Sequence, residues 1–323
     1  MSESSKRLTV ITTTYRSAAH LDLFLRGVLA LDDIDVITVC IVMNDPDDVE
    51  LAILAPYCRR YPGSFEVIEV PRESIGASVN RGLAAASTPY CAFLDVDDVR
   101  VPDSFTRQMA VLDGAADADF TYGDFMIVNK PGLTEGSRVE TIEFDHREFT
   151  RGCHASPTQL FRRSLIDRAG GLDEQLRSGG DFEFQVRAAL NCRFVKTPGL
   201  MVYKTNWAGS ASSGHIQPLE RTVVELRYGL YDKTIALNGL GYVEQARRYR
   251  LHEVLLGGVW HDICEFVPEY RGMLEARVYA LGKLERRLVW WKRRRGILSP
   301  LKKPLRKGVE ALRGLKRVLS RRA

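Results

Sequence analysis

Apolar and polar residues alternate in blocks along most of the chain. Residues 8–13 (LTVITT) form a β-branched run that breaks at Thr14-Tyr15-Arg16. Beyond it, Leu21, Phe24, Leu25, Val28 and Leu29 recur at three- and four-residue spacings, which predicts a helix over 20–31. Residues 35–43 (DVITVCIVM) predict a second strand, closed by Asn44-Asp45-Pro46-Asp47-Asp48. The same reading predicts a helix over 51–61, a strand over 65–70, a helix over 74–86 and a strand over 89–94. Later strands are expected over 120–129, near 159–163 and within 193–203, and later helices over 164–169 and 181–189. Residues 131–150 read as loop plus an edge strand, and from about 217 helical spacing continues to the end. A soft boundary near 215 therefore separates a body over 1–215 from a helical extension over 216–323.

Strands alternating with helices predict an α/β protein whose parallel sheet is covered on both faces, and the nearly continuous apolar strands fit that burial. In such sheets ligands bind beyond the carboxyl ends of the strands. That rule directs attention to Thr14-Tyr15-Arg16, to Asn44-Asp45 and to Asp95-Val96-Asp97-Asp98.

Composition adds little to this until charge is mapped along the chain. The 323 residues are 45% hydrophobic, enough for a sizeable core. The N-terminal segment lacks the apolar region of a signal peptide, and no apolar run is long enough to span a bilayer, so a cytoplasmic protein is expected. The six cysteines form no C-x-x-C pair and read as small hydrophobes in a reducing compartment. Net charge is +5, yet residues 283–323 carry sixteen Lys or Arg and two acids, which leaves the remainder at −9. Within that tail, Trp290 and Trp291 precede Leu301, Leu305, Val309, Leu312, Leu315 and Leu319 at helical spacing. A basic amphipathic helix of this kind suits an anionic membrane surface, which would place the protein peripherally on the inner face of the cell membrane. A solvated or partner-binding helix is the competing reading. Nothing in the tail matches a nucleic-acid-binding module.

Four segments carry candidate chemistry. Asp95, Asp97 and Asp98 follow a buried strand, where like charges repel; a hard divalent cation such as Mn²⁺ or Mg²⁺ relieves that repulsion and can hold a diphosphate. A solvated acidic turn competes with this. Tyr15 can stack on a base and Arg16 can pair with phosphate. In the segment 76–82 (GASVNRG), Gly76 lets backbone approach a ligand while Asn80 and Arg81 can donate to a nucleotide. Finally, the glycine-rich run before Asp181 places a carboxylate at a helix start, where it can act as a base or merely cap the helix. No G-x-G-x-x-G or G-x-x-x-x-G-K-[ST] is present, which removes the main support for a dinucleotide oxidoreductase or a P-loop NTPase.

The order of these pieces over roughly residues 8–212 resembles the family 2 glycosyltransferases. The resemblance implies a Rossmann-like GT-A fold, a mixed but mostly parallel sheet flanked by helices. It also implies an inverting transfer of sugar from a nucleotide-diphospho-sugar, by family frequency a UDP-sugar, to an acceptor hydroxyl on a glycan or lipid-linked molecule in cell-surface polysaccharide or glycolipid synthesis. Thr14, Tyr15, Arg16, Asn44, Asp45, Gly76, Asn80, Arg81, Asp95 and Asp97 would then bind the donor. Asp97, with Asp95, would hold the metal, and Asp181 would be the general base. The chain departs from the family pattern at Asn44-Asp45-Pro46-Asp47, where the family often reads D-D-G-S. It also lacks the histidine often found after the final strand; Lys204 and Asn206 lie there, with His154 and His215 elsewhere. That gap keeps open a catalytically silent module that binds nucleotide or glycan. A sugar-nucleotide-forming nucleotidyltransferase fits less well, because residues 12–17 (TTTYRS) contain no glycine.

Overall fold

The computed structural model describes residues 5–206, 216–228, 245–246, 248–270 and 290. Strands β1 (Leu8–Thr14), β2 (Ile37–Asn44), β3 (Phe65–Val70) and β4 (Tyr90–Phe93) run parallel, joined through helices α1 (Ala18–Leu29), α2 (Asp48–Arg60) and α3 (Ile75–Ala85). β1 lies between β2 and β4, with Leu8 opposite Ile37 on one side and Tyr90 on the other. The sheet continues through β5 (Val99–Arg100), β6 (Ala118–Val128), β7 (Ser137–Val139), β8 (Leu160–Arg162) and β9 (Arg193–Thr205). Its nine strands follow the order β3-β2-β1-β4-β8-β6-β9-β5, with β7 alongside β6. β8 and β5 run antiparallel to their neighbours, while the long β6–β9 pair is parallel. The expected mixed, mostly parallel sheet is therefore present.

Alternate residues of each central strand enter different cores. Leu8 and Val10, with Ile37, Val39, Ile41 and Met43, pack with α1 and α2. Ile11, Cys40 and Val42 face the opposite core with α3. Both faces are buried, which is why these strands read as unbroken apolar runs. Helix α4 (Ser104–Gly114), for which the sequence reading had no element, buries Phe105, Met109 and Leu112. Short helices α5 (His146–Phe149) and α6 (Ser164–Ala169) precede α7 (Gly180–Asn191).

The expectation of helix from 217 to the end is corrected. Helix α8 (Ile216–Arg227) is present, but β10 (Glu253–Leu256) and β11 (Val259–Asp262) form an antiparallel hairpin. Its two-residue turn is Gly257-Gly258, with φ of 57° and 77°, the left-handed backbone that such turns require and a helix interior excludes. Contacts divide the chain after Tyr270. Apart from Trp290, the basic tail over 283–323 lies outside the described residues. No helix among the described residues is long and apolar enough to cross a membrane.

Buried charge explains why residues 216–270 belong with the body. Arg227, on α8, donates to Asp173 (2.8 Å) and lies 3.0 Å from Glu183; all three side chains are fully buried. Arg187 pairs with the same Glu183 at 2.6 Å, and the Tyr228 hydroxyl donates to it at 2.7 Å. Arg227 also donates to the carbonyls of Leu251, Arg250 and Glu253. Burial alone would raise the Glu183 pKa, but Arg187 and Arg227 hold it down to about 2. A depressed carboxylate contributes its stability fully above the ordinary value of 4.5 and loses it as pH falls toward 2. Arg227→Met is expected to lower the free energy of unfolding by about 3–5 kcal/mol at neutral pH in urea titrations, with the deficit narrowing as pH drops through that window.

Candidate functional site

The parallel strands deliver three of the predicted segments to one edge of the sheet. β1 ends at Thr14, β2 at Asn44, and the chain leaves β4 through Leu94, whose amide donates to the Ile11 carbonyl, into Asp95. Arg16 and Asp45, two non-glycine residues just past the ends of β1 and β2, have φ of 52° and 53°. Their loops are tied together by Glu50, fully buried on α2, whose carboxylate accepts from the Ser17 amide at 2.7 Å and from the Asp47 amide at 3.3 Å. Asp47 in turn caps α2 by accepting from the Val49 and Glu50 amides.

Around these loops the predicted donor-binding residues divide into two groups. Thr14 is buried, and its hydroxyl has no hydrogen-bond partner among the described residues. Tyr15 is 42% exposed, and the Arg72 guanidinium lies 3.4 Å from its ring centroid. Arg16, Asp45 and Arg81 are exposed, and Arg81 reaches 3.5 Å from Glu73. The other group is engaged inside the protein. Asn44 is buried and its amide bonds the Glu73 backbone twice, at 3.0 and 3.1 Å, and Ser78 once. Asn80 accepts from the Leu172 amide and donates to the Leu172 carbonyl and to Glu174. Gly76 serves close packing: a β-carbon there would lie 3.2 Å from the Asp173 carbonyl oxygen. Asn44, Gly76 and Asn80 thus help to fix these loops.

The acidic turn is anchored by the end of β9. The Thr205 amide donates to Asp98 at 2.7 Å, and the Thr205 hydroxyl donates to the Asp97 carbonyl at 2.6 Å. This places Lys204 beside the acids. Asp95 opens to solvent at the surface of the sheet edge, yet enclosure by the surrounding protein, with the Asp97 and Asp181 charges, pushes its pKa up to about 6, and Lys204 opposes the rise. Burial works against the Lys204 charge, but Asp95, Asp98 and Asp181 more than offset it and its pKa is raised. Asp95 therefore lies within electrostatic reach of Asp97, Asp181 and Lys204, and Lys204 within reach of Asp95, Asp98 and Asp181. Asp181, from the first turn of α7, accepts from the Phe182 amide at 2.8 Å. Cys153, exposed at the surface, joins the group: the protein packed around it and Asp181 raise its thiol to about 12 while Lys204 opposes them, so at neutral pH it carries no charge.

Asp98 belongs to the acidic cluster of the sequence reading, which gave it no ligand role of its own. Its side chain is 3% exposed, and its pKa is raised well above the ordinary value by burial and then by Asp95. Its Oδ2 is sealed from solvent without a partner among the described residues. No group of three or more His, Cys, Asp or Glu side chains among the described residues converges enough to hold an ion alone. The local donors are nonetheless hard carboxylate oxygens, one of them orphaned. That set fits Mg²⁺ or Mn²⁺, which commonly take one or two protein carboxylates and fill the shell with diphosphate oxygens and water.

The fold is that of the GT-A glycosyltransferases. Residues 9–169 match the model of the family "Glycosyl transferase family 2", and the chain belongs to that family. No curated protein sequence matches it. Among solved structures it is similar to S. aureus TarS residues 1–349 in complex with UDP-GlcNAc, with 23% identity over 74% of this chain and 69% of that one, at a TM-score of 0.58. Against whole S. aureus TarS the figures are 21% identity, 75% of this chain, 42% of that one and a TM-score of 0.56. A mannosyltransferase from Pyrobaculum calidifontis in complex with GDP-Man and Mn²⁺ matches at 18% identity over 86% and 76% of the two chains, with a TM-score of 0.50. At these identities the likeness is one of fold.

An Asp95 pKa near 6 has a measurable consequence. A cation needs the ionised carboxylate, so affinity for UDP in the presence of Mn²⁺ is expected to fall as pH drops through about 6, approaching tenfold per unit below it, in calorimetric titrations.

Proposed function

We propose that the protein is an inverting glycosyltransferase that moves a sugar from a nucleotide-diphospho-sugar to an acceptor hydroxyl. The observation that carries the reading is the tie of the acidic turn to the end of β9 through Thr205, which sets Lys204 beside Asp95 and Asp98 and within electrostatic reach of Asp181. An acid turn for the donor and an acid at a helix start for the acceptor lie within one charge field, as a single direct displacement requires. Tyr15, with the neighbouring Arg72, offers a flat surface for the base, and the unpartnered Thr14 hydroxyl can serve the nucleoside. Asp45 and Arg81 border the same loops.

Asp97 and Asp95 would hold Mn²⁺ or Mg²⁺, with Asp98 adjoining. When bound, the cation supplies positive charge that stabilises the leaving diphosphate. Lys204 supplies further positive charge at the same place, where the family pattern often has a histidine. Asp181 takes the proton from the acceptor hydroxyl, whose oxygen attacks the anomeric carbon from the face opposite the departing diphosphate, inverting the configuration. UDP is the default nucleotide; the TarS complex with UDP-GlcNAc supports it, and the GDP-Man complex of the archaeal mannosyltransferase keeps a second donor in view. The acceptor is a glycan or lipid-linked molecule. The basic tail would hold the enzyme at an anionic membrane surface, where such acceptors serve cell-surface polysaccharide or glycolipid synthesis.

A thermal-shift screen of nucleotide sugars with and without Mn²⁺ tests the donor reading. A ligand at 100 times its Kd should stabilise the fold by about 2.7 kcal/mol. The matching donor is expected to shift Tm only with the cation, and Asp97→Asn to abolish the shift. Asp181→Asn should keep the shift while turnover falls about 10²- to 10⁴-fold. Retained turnover in Asp181→Asn would remove that residue as the base; no shift with any donor would remove the reading itself.

A further inference from the structure

The loop that carries Asp181 into place is held from outside its own helix. Gly179 is the N-cap residue of α7 and has no side chain to offer its first turn. Immediately before the helix, three consecutive amides point at one carboxylate. Glu220, fully buried on α8, accepts from Arg177 N at 2.8 Å, Ser178 N at 2.6 Å and Gly179 N at 2.8 Å. The approach is close enough that a β-carbon on Gly179 would sit 3.0 Å from the Glu220 β-carbon. Glu220 thus supplies across space, from more than 40 residues away, the acceptor that α7 lacks locally. The Tyr249 hydroxyl adds a longer bond to the same carboxylate, at 3.3 Å.

The surrounding contacts fix α8 against that loop. Arg227, at the other end of α8, is bonded to Asp173 before the loop and paired with Glu183 after it. Glu174 accepts from Gly257 and Gly258 at the hairpin turn and from Asn80 on α3. The segment 173–183 is therefore gripped at both ends, and Glu220 sets the backbone two residues before Asp181.

We infer that Glu220 is a positioning residue for Asp181, aiming the carboxylate at the acceptor hydroxyl without touching substrate. The inference rests on the reading of Asp181 as the base. A misplacement of about 1 Å at a reacting group can cost on the order of 10²-fold in rate, so a lost amide clamp should appear in turnover and leave the donor subsite, built on β1, β2 and β4, intact.

The test uses the full chain and two readouts: kcat for hydrolysis or transfer with UDP-GlcNAc and GDP-Man, and the Kd of UDP with Mn²⁺ by calorimetry. Glu220→Gln puts an NH₂ where an acceptor stood, and is expected to lower kcat about 10- to 100-fold with the UDP Kd changed less than about twofold. Gly179→Ala presses on the same contact without altering charge and should give the same split, which decides the matter should Glu220→Gln fail to fold. Tyr249→Phe keeps all three amide bonds and should retain wild-type kcat. A kcat within threefold of wild type in both loop variants, or loss of UDP binding in step with kcat, would overturn the inference while leaving the reading of the enzyme standing. A wild-type protein that binds UDP but turns over neither donor overturns the reading of Asp181 as the base, and with it this role for Glu220.

Discussion

Two arginines sealed from water, Arg187 and Arg227, share the carboxylate of Glu183, and the placement of everything around Asp181 depends on that sharing. Charges removed from solvent are tolerable only when each is paired and hydrogen-bonded. Here the pairing draws on four separate stretches of chain: Asp173 with the Ala169 and Gly171 carbonyls, Glu183 with Arg187, Arg227 with Tyr228, and the backbone at 250–253. Helix α7 cannot shift or turn without uncovering a charge. This is a specific use of buried ion pairs, in which the gain lies in fixed geometry more than in net stability.

The same principle runs in reverse at the carboxyl edge. There the acids outnumber the nearby cation: Asp95, Asp98 and Asp181 all act on Lys204. Enclosure by the protein and, after it, the neighbouring acids push Asp95 and Asp98 upward. A diphosphate entering it would worsen the imbalance unless a divalent cation came with it. The fold therefore presents one region where negative charge is fully matched, around α7 and α8, and one where it is left to be matched by what binds. Thr205 is the joint between the acid turn and β9, since it bonds both Asp97 and Asp98.

The alternation of strand and helix was legible because both faces of the central sheet are covered, so β1, β2 and β4 are largely apolar or β-branched and the helices between the strands carry apolar stripes, while the outer strand β3 exposes Glu66 and Glu69. Asp95, Asp97 and Asp181 stood out as acids at strand and helix ends, and the family pattern linked them. What escaped the sequence depends on partners far along the chain. Asn44 and Asn80 look like ligand-binding amides and are in fact bonded to the backbones of Glu73 and Leu172. Glu220 sits in an ordinary amphipathic helix, and nothing in its neighbourhood marks it as the acceptor for amides at 177–179. The hairpin at 253–262 was hidden because Val and Leu spacing fits either period; Gly257-Gly258 was the one available signal. Helix α4 was passed over, although Phe105, Met109 and Leu112 carry its stripe.

The left-handed turns at Arg16 and Asp45 have a further meaning. For a residue with a β-carbon this backbone region is sparsely populated and of order 1 kcal/mol or more above the alternatives. Glycine would relax either turn, and would also let the loop wander among many shapes. By placing a side chain at each turn the chain gives up some stability and limits that wandering. With Glu50 linking the loops that hold these turns, the ends of β1 and β2 are expected to move as one body.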